Sequence, residues 1–132
     1  MNSQKTIEAL KHLAEMHSDI EVVWLYGSRA VGEETPESDF DLAVAFSEVS
    51  KDALARQNRC DHLKYEWADT LGLSDKALSI ADINGAPVPL AMAVVTKGYV
   101  LHSKNALREA IEENRIASMW ELDYEYYRRV FG

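Results

Sequence analysis

Leu25-Tyr-Gly-Ser-Arg-Ala30, followed after a polar loop by Ser38-Asp-Phe-Asp-Leu-Ala-Val44, is the stretch whose reading decides the fold. Glu21 to Tyr26 is an apolar run that reads as a buried strand, so Gly27 and Ser28 fall on a strand-to-helix turn. The free backbone N–H groups of such a turn can hold an anion, and glycine lets the chain approach it closely. Ten residues separate Ser28 from Asp39. Asp39 and Asp41 stand at i and i+2 at the entrance of the run Phe40 to Phe46, and the two-residue period of a strand points both carboxylates to one face. Two hard oxygen ligands side by side suit Mg²⁺.

Outward from this core, Thr6 to His17 carries Ile7, Leu10, Leu13, Ala14 and Met16 at helical spacing. Ser28 to Val31 is expected to open a short helix, and residues 32–38, with the turn signal Thr35-Pro36, return the chain so that the second strand lies beside the first. Ser50 is a plausible N-cap for a helix from about Asp52 to Leu71, in which Cys60, Leu63, Trp67 and Leu71 recur and after which Gly72 stops the helix. Lys76 to Asp82 reads as a third strand ending in a carboxylate, which makes Asp82 a third candidate ligand. Ala86 to Lys97 reads as a helix with Pro87 or Pro89 in its first turn and Gly98 at its end, and Tyr99 to His102 as a short extended piece. Asn105 to Phe131 reads as one or two helices. Its aromatic residues either cover the sheet or contact another protein.

At 132 residues the chain is expected to form a single domain, residues 1–132, with a C-terminal helical segment at about 105–131. A hydrophobic fraction of 47% with three Trp and six Tyr supports a packed core. The longest apolar stretch, Ala86 to Val95, holds two prolines and is about half the roughly 20 residues of a membrane span. Met1 to Thr6 has neither the basic nor the apolar region of a secretory signal, so the expectation is a soluble, cytoplasmic protein. The lone Cys60 excludes an internal disulfide and reads as a small buried residue, and the four histidines lie at no metal-binding spacing. A net charge of −8 with scattered basic residues argues against direct binding to nucleic acid and favours a protein or small-molecule acceptor.

The combination Gly27-Ser28, a spacer, then Asp39-Phe-Asp41 resembles the signature of the DNA polymerase beta-like nucleotidyltransferase superfamily. Short length and the run Gly27-Ser-Arg-Ala-Val-Gly32 look most like the minimal nucleotidyltransferase (MNT) antitoxins, which are paired with HEPN-domain ribonuclease toxins. The resemblance implies an α/β fold with a small mixed β-sheet and helices mainly on one face. It implies transfer of AMP from ATP to a tyrosine of the cognate HEPN toxin, with which the chain would form a hetero-oligomer. Asp39, Asp41 and Asp82 would be catalytic and would hold Mg²⁺, two ions in the usual scheme, with Asp82 completing the acceptor side. Gly27 and Ser28 would hold phosphate oxygens. Arg29 either adds a charge-assisted phosphate contact or is a surface arginine paired with Glu33, Glu34 or solvent.

Three other functions meet the same residues. A binding protein could neutralise its partner stoichiometrically without transfer, a prediction that the intact carboxylate pair opposes. A small-molecule acceptor such as an aminoglycoside usually requires an acceptor domain, and a nucleotide-sugar glycosyltransferase with Asp-x-Asp a second substrate domain; neither fits this length. Against the superfamily pattern, Val31 takes a place where a basic residue is common. Phe40 takes the usual aliphatic place between the aspartates and is expected to face the core with Leu42 and Val44.

Overall fold

The computed structural model describes residues 3–131; Met1 and Asn2 of the N-terminal stretch, and Gly132, lie outside them. Helix α1 (Ser3–Met16) buries Thr6, Ile7, Leu10 and Ala14, one stripe of an amphipathic helix, and leaves Met16 exposed. Strand β1 (Ile20–Tyr26) leads into the short α2 (Ser28–Val31), and β2 (Phe40–Phe46) returns antiparallel to β1, with Leu25 opposite Leu42 and Tyr26 opposite Asp41. A crossover through α3 (Ala53–Leu71) then places β3 (Leu78–Asp82) parallel to β2, as parallel strands require a long connection. Helix α4 (Val88–Lys97) leads to β4 (Tyr99–Ser103), antiparallel to β1, and α5 (Ala106–Phe131) closes the chain. The sheet order is β3-β2-β1-β4.

The expected α/β class and mixed sheet are therefore present, but the helices are divided between the two faces rather than gathered on one. Val23, Leu25, Phe40, Leu42 and Val44 pack against α1 and, through Cys60, Leu63 and Trp67, against α3. On the opposite face Val22, Trp24, Ala43 and Ala45 pack against Ala91 and Val94 of α4 and Ile116 of α5. Each central strand is apolar on both sides, so each face needs its own cover. The small Ala43 and Ala45 make room on the second face for Trp24, which is fully buried.

Local details differ from the sequence reading in instructive ways. Asp52, not Ser50, caps α3: its carboxylate accepts from the N–H groups of Leu54 and Ala55, while the Ser50 hydroxyl accepts from the N–H of Asp52 one step earlier. A 3-10 turn (Asp75–Ala77), capped by the Ser74 hydroxyl, occupies the first part of the expected third strand and leaves only Leu78–Asp82 extended. The C-terminal segment is one helix about 39 Å long, from 26 residues at 1.5 Å each. Among its described residues only Glu112 and Ile116 are buried, so nothing beyond Ile116 belongs to the core.

Candidate active site

Gly27 ends β1 with φ at +75°, a left-handed conformation that favours glycine, and starts α2, whose N-terminus has no side-chain cap. The pairing of Tyr26 with Asp41 brings the Asp41 carboxylate directly over the Gly27 backbone. A Cβ at Gly27 would stand 2.2 Å from Asp41 Oδ2, so glycine is required twice over, for its dihedral and for this approach. Gly32 stops α2 in a left-handed conformation, and the Glu33 N–H donates to the Ser28 carbonyl. The turn and the carboxylate pair, ten residues apart in sequence, are thus one site built at the end of the two central strands.

The electrostatics of that site are those of charge without a counter-charge. Burial, then the charge of neighbouring Asp39 and a hydrogen bond that the protonated Asp41 carboxyl donates to it, push that carboxyl up to about 6. Burial and the two carboxylates push the Tyr26 phenol up to about 12. Two adjacent carboxylates are a donor set that fits a hard divalent ion, whose other ligands would come from phosphate and water. Among the described residues no group of three or more His, Cys, Asp or Glu could hold a metal, so Asp39 and Asp41 stand as a pair.

Asp82 does not join them. In the parallel pairing Asp41 lies opposite Ser79, and Asp82 lies opposite Val44, three residues and roughly 10 Å further along and on the other face of the sheet. Its Oδ2 accepts from Arg59 of α3 at 2.9 Å, and its Oδ1 accepts from the Asn84 N–H at 2.9 Å. The expectation of Asp82 as metal ligand and catalytic residue is corrected on this ground: its carboxylate is committed to a helix and a turn. The strand position beside Asp41 belongs to Ser79, which the sequence reading passed over because only the register identifies it.

Arg29 is also placed away from the anion turn. Its guanidinium donates to the Ser38 carbonyl at 2.9 and 2.7 Å, to the Thr35 carbonyl at 3.4 Å and to the Ser3 hydroxyl at 2.8 Å, and it stacks on Phe40 with 4.2 Å to the ring centroid. The expected phosphate contact is therefore replaced by a clamp on the 32–38 loop, and carbonyls rather than Glu33 or Glu34 are its partners. Phe40, Leu42 and Val44 share the core face as expected. Burial pushes the Cys60 thiol up to about 11, so it is an inert apolar residue.

Beside the turn is a cavity of about 300 Å³, lined by Gly27, Ser28, Val31 and Glu33 and by Ala93 and Lys97 of α4. Lys97 is a residue that the sequence reading missed. In the sequence it is only the last residue of a helix, and the docking of α4 places it in the lining of the cavity that Ser28 also lines.

A family model described as polymerase beta, nucleotidyltransferase matches residues 8–107. No curated protein matches. Among solved structures, the chain is similar to one in a toxin–antitoxin complex with AMP-PNP, at 22% identity and a TM-score of 0.68, covering 98% of this chain and 95% of that one. It is similar, at 20% identity and a TM-score of 0.68, to one in the complex of a tri-AMPylated Shewanella oneidensis HEPN toxin with an MNT antitoxin, covering 96% and 93%. A third likeness, to the toxin–antitoxin MntA–HepT, has 19% identity and a TM-score of 0.65 over 98% and 95%. These likenesses establish a shared fold, and the family match spans the turn, the carboxylate pair and all four strands: the chain belongs to the polymerase beta nucleotidyltransferase family.

Proposed function

We propose that the chain is a Mg²⁺-dependent protein adenylyltransferase that carries AMP from ATP to a tyrosine of a cognate HEPN-domain toxin and so acts as its antitoxin. The observation that carries the reading is the seating of Asp41 over Gly27, which joins a phosphate-holding turn to an unneutralised carboxylate pair. The similar structures support the choice of nucleotide and acceptor, since one is of a toxin–antitoxin with AMP-PNP and another contains a tri-AMPylated HEPN toxin. We take residues 1–132 as one transferase unit acting in the cytoplasm, where ATP is abundant.

Asp39 and Asp41 would hold the cation, and a bound divalent ion would neutralise charge on the reacting phosphate and the leaving group. The Gly27–Ser28 turn presents its backbone and the Ser28 hydroxyl to phosphate oxygens and fixes the triphosphate relative to the carboxylates. The acceptor phenol oxygen forms a bond to the α-phosphorus as the bond from that phosphorus to the bridging oxygen breaks. Pyrophosphate leaves with the electron pair, and the phenol proton is released to solvent. With Asp82 paired to Arg59, Asp39 and Asp41 are the carboxylates that would hold the cation, and it would supply charge neutralisation at the reacting phosphate.

Incubation of the purified chain with its toxin, Mg²⁺ and α-labelled ATP is expected to label a toxin tyrosine, with loss of label of at least roughly 10³-fold in Asp39→Ala and Asp41→Ala. Labelling at the wild-type rate in those variants would sink the assignment. A binding contribution is favoured by one further observation, the exposed Trp120, Tyr124, Tyr127 and Phe131 beyond the core on α5. If binding alone neutralises, Asp41→Ala will protect fully at a one-to-one ratio without ATP.

A further inference from the structure

Helix α4 is held against the end of β1 at a point where no side chain fits. A Cβ at Gly98 would stand 2.5 Å from the Leu25 carbonyl, 2.6 Å from the Val94 carbonyl and 3.0 Å from the Tyr26 Cβ. The Gly98 N–H donates to the carbonyls of Ala93 and Val94 and closes the helix there. The residue just before this contact is Lys97, which lines the same cavity as Gly27 and Ser28.

Four arginines near the sheet are already engaged. Arg29 is clamped to the 32–38 loop, Arg59 to Asp82 and the Glu48 carbonyl, and Arg108 and Arg115 to Glu112. Lys97 makes no ion pair or hydrogen bond among the described residues, although Glu33 lines the same cavity. In a chain of net charge −8, an unpaired lysine in the lining of the cavity that Gly27 and Ser28 also line is matched to a ligand of high negative charge. Its bland role, a lysine at a helix C-terminus, needs only the last turn of α4 and not this position in the lining of the cavity.

We propose that Lys97 is a nucleotide-binding residue whose ammonium pairs with the β- and γ-phosphates of the bound triphosphate, so that the site prefers a nucleoside triphosphate to a monophosphate. The assignment rests on the transferase reading above and adds to it the residue that recognises the leaving group. It gives the site a second charged part: Asp41 stands over the Gly27 backbone, and Lys97 lines the cavity that Gly27 and Ser28 share. Lysine suits this position as a point charge on a flexible stem, able to follow the pyrophosphate as it departs.

The test is equilibrium binding by calorimetry of MgATP, of magnesium tripolyphosphate and of AMP to the wild-type chain, Lys97→Ala and Lys97→Arg. Lys97 is exposed, so unchanged circular dichroism and melting are expected in both variants. Lys97→Ala is expected to weaken MgATP and tripolyphosphate by about tenfold or more, to shift AMP by less than about twofold, and to flatten the dependence of MgATP binding on salt; Lys97→Arg is expected to restore most of the loss. Equal MgATP binding by wild type and Lys97→Ala, or an equal loss for AMP, overturns the role of Lys97 and leaves the transferase reading standing. A wild-type chain that binds neither MgATP nor tripolyphosphate overturns both.

Discussion

Two clusters of acidic side chains lie on this sheet, and they are built on opposite principles. At one end Asp41 stands over Gly27 beside Asp39, and burial, then the charge of Asp39, push the Asp41 carboxyl up to about 6. Where β3 ends, Asp82 and Glu112 are saturated. Asp82 is paired with Arg59, while Glu112 accepts from Arg115 at 2.7 Å, from Arg108 at 3.0 Å and from the Asn84 amide at 3.0 and 2.7 Å. Burial alone would raise the Glu112 carboxyl, but those hydrogen bonds outweigh it and hold it below the usual glutamate value. Arg108 also donates to the Phe46 carbonyl and Arg115 to the Ile83 carbonyl, so this corner joins α5 to the ends of β2 and β3. The contrast separates carboxylates that await a ligand from carboxylates that hold the fold, a distinction invisible in residue type.

The comparison is broken most directly by exchanging its members in the labelling assay. Asp41→Asn is expected to lose transfer by roughly 10³-fold, whereas Asp82→Asn should stay within about tenfold when assayed at a temperature where it remains folded. Equal losses at the two positions would return Asp82 to the active site. For stability the order reverses. Glu112→Gln removes the charge and one of the two acceptor oxygens that serve Arg108 and Arg115 in a buried network, and is expected to cost about 3 kcal/mol in denaturant unfolding. Asp41→Asn in metal-free protein at pH 8 is expected to gain up to about 1 kcal/mol, because it relieves a like-charge pair that solvent partly screens.

The pH dependence should separate the clusters by sign. Asp41 titrates higher in the folded state, so its contribution in metal-free protein is fully present below its ordinary value of 3.8 and is lost as pH rises through about 6. Glu112 titrates lower when folded, so its contribution is present above its ordinary 4.5 and is lost as pH falls through its folded value. Melting curves of wild type, Asp41→Asn and Glu112→Gln from pH 3 to 8, with and without Mg²⁺, will read both; added Mg²⁺ should remove the loss near pH 6. The smallest expected effect is at Ser79. Placing a carboxylate there, Ser79→Asp, adds a third ligand opposite Asp41 and is expected to tighten divalent-ion binding by about tenfold, read by calorimetry on the isolated chain. No change in affinity would show that the β3 position does not reach the site.

Much of this molecule was legible locally. The apolar alternation and runs of β1 and β2, the glycines that stop α2 and α3, and the paired prolines at the start of α4 each act within a few residues, and each element stands close to where its residues predict it. The Asp82 reading failed for a reason equally physical. A strand ending in aspartate was correctly seen, but the side of the sheet that it faces depends on where the strand begins and on its register with β2, and a 3-10 turn sets that start at Leu78. In the sequence Arg29 stays open between a phosphate contact and a surface pair, because the carbonyls of Thr35 and Ser38 that hold it become available only when the loop folds back. The division of helices between both faces follows from the two-sided burial of the central strands, which a continuous apolar run signals without saying which helix covers which side.

By itself the sequence determined the chemistry on offer: a Gly27–Ser28 turn, a carboxylate pair that a strand's period holds on one face, and the family signature that their spacing makes. Those properties depend on backbone dihedrals and the two-residue repeat, which residues a few places apart control. Only the tertiary structure decided which charges are left free. It committed Arg29, Arg59 and Asp82 to the fold, set Ser79 beside Asp41, and brought Lys97 into the lining of the cavity through the contact at Gly98. Register and helix docking are settled by burial summed over distant residues, and that sum is not contained in any one stretch of the chain.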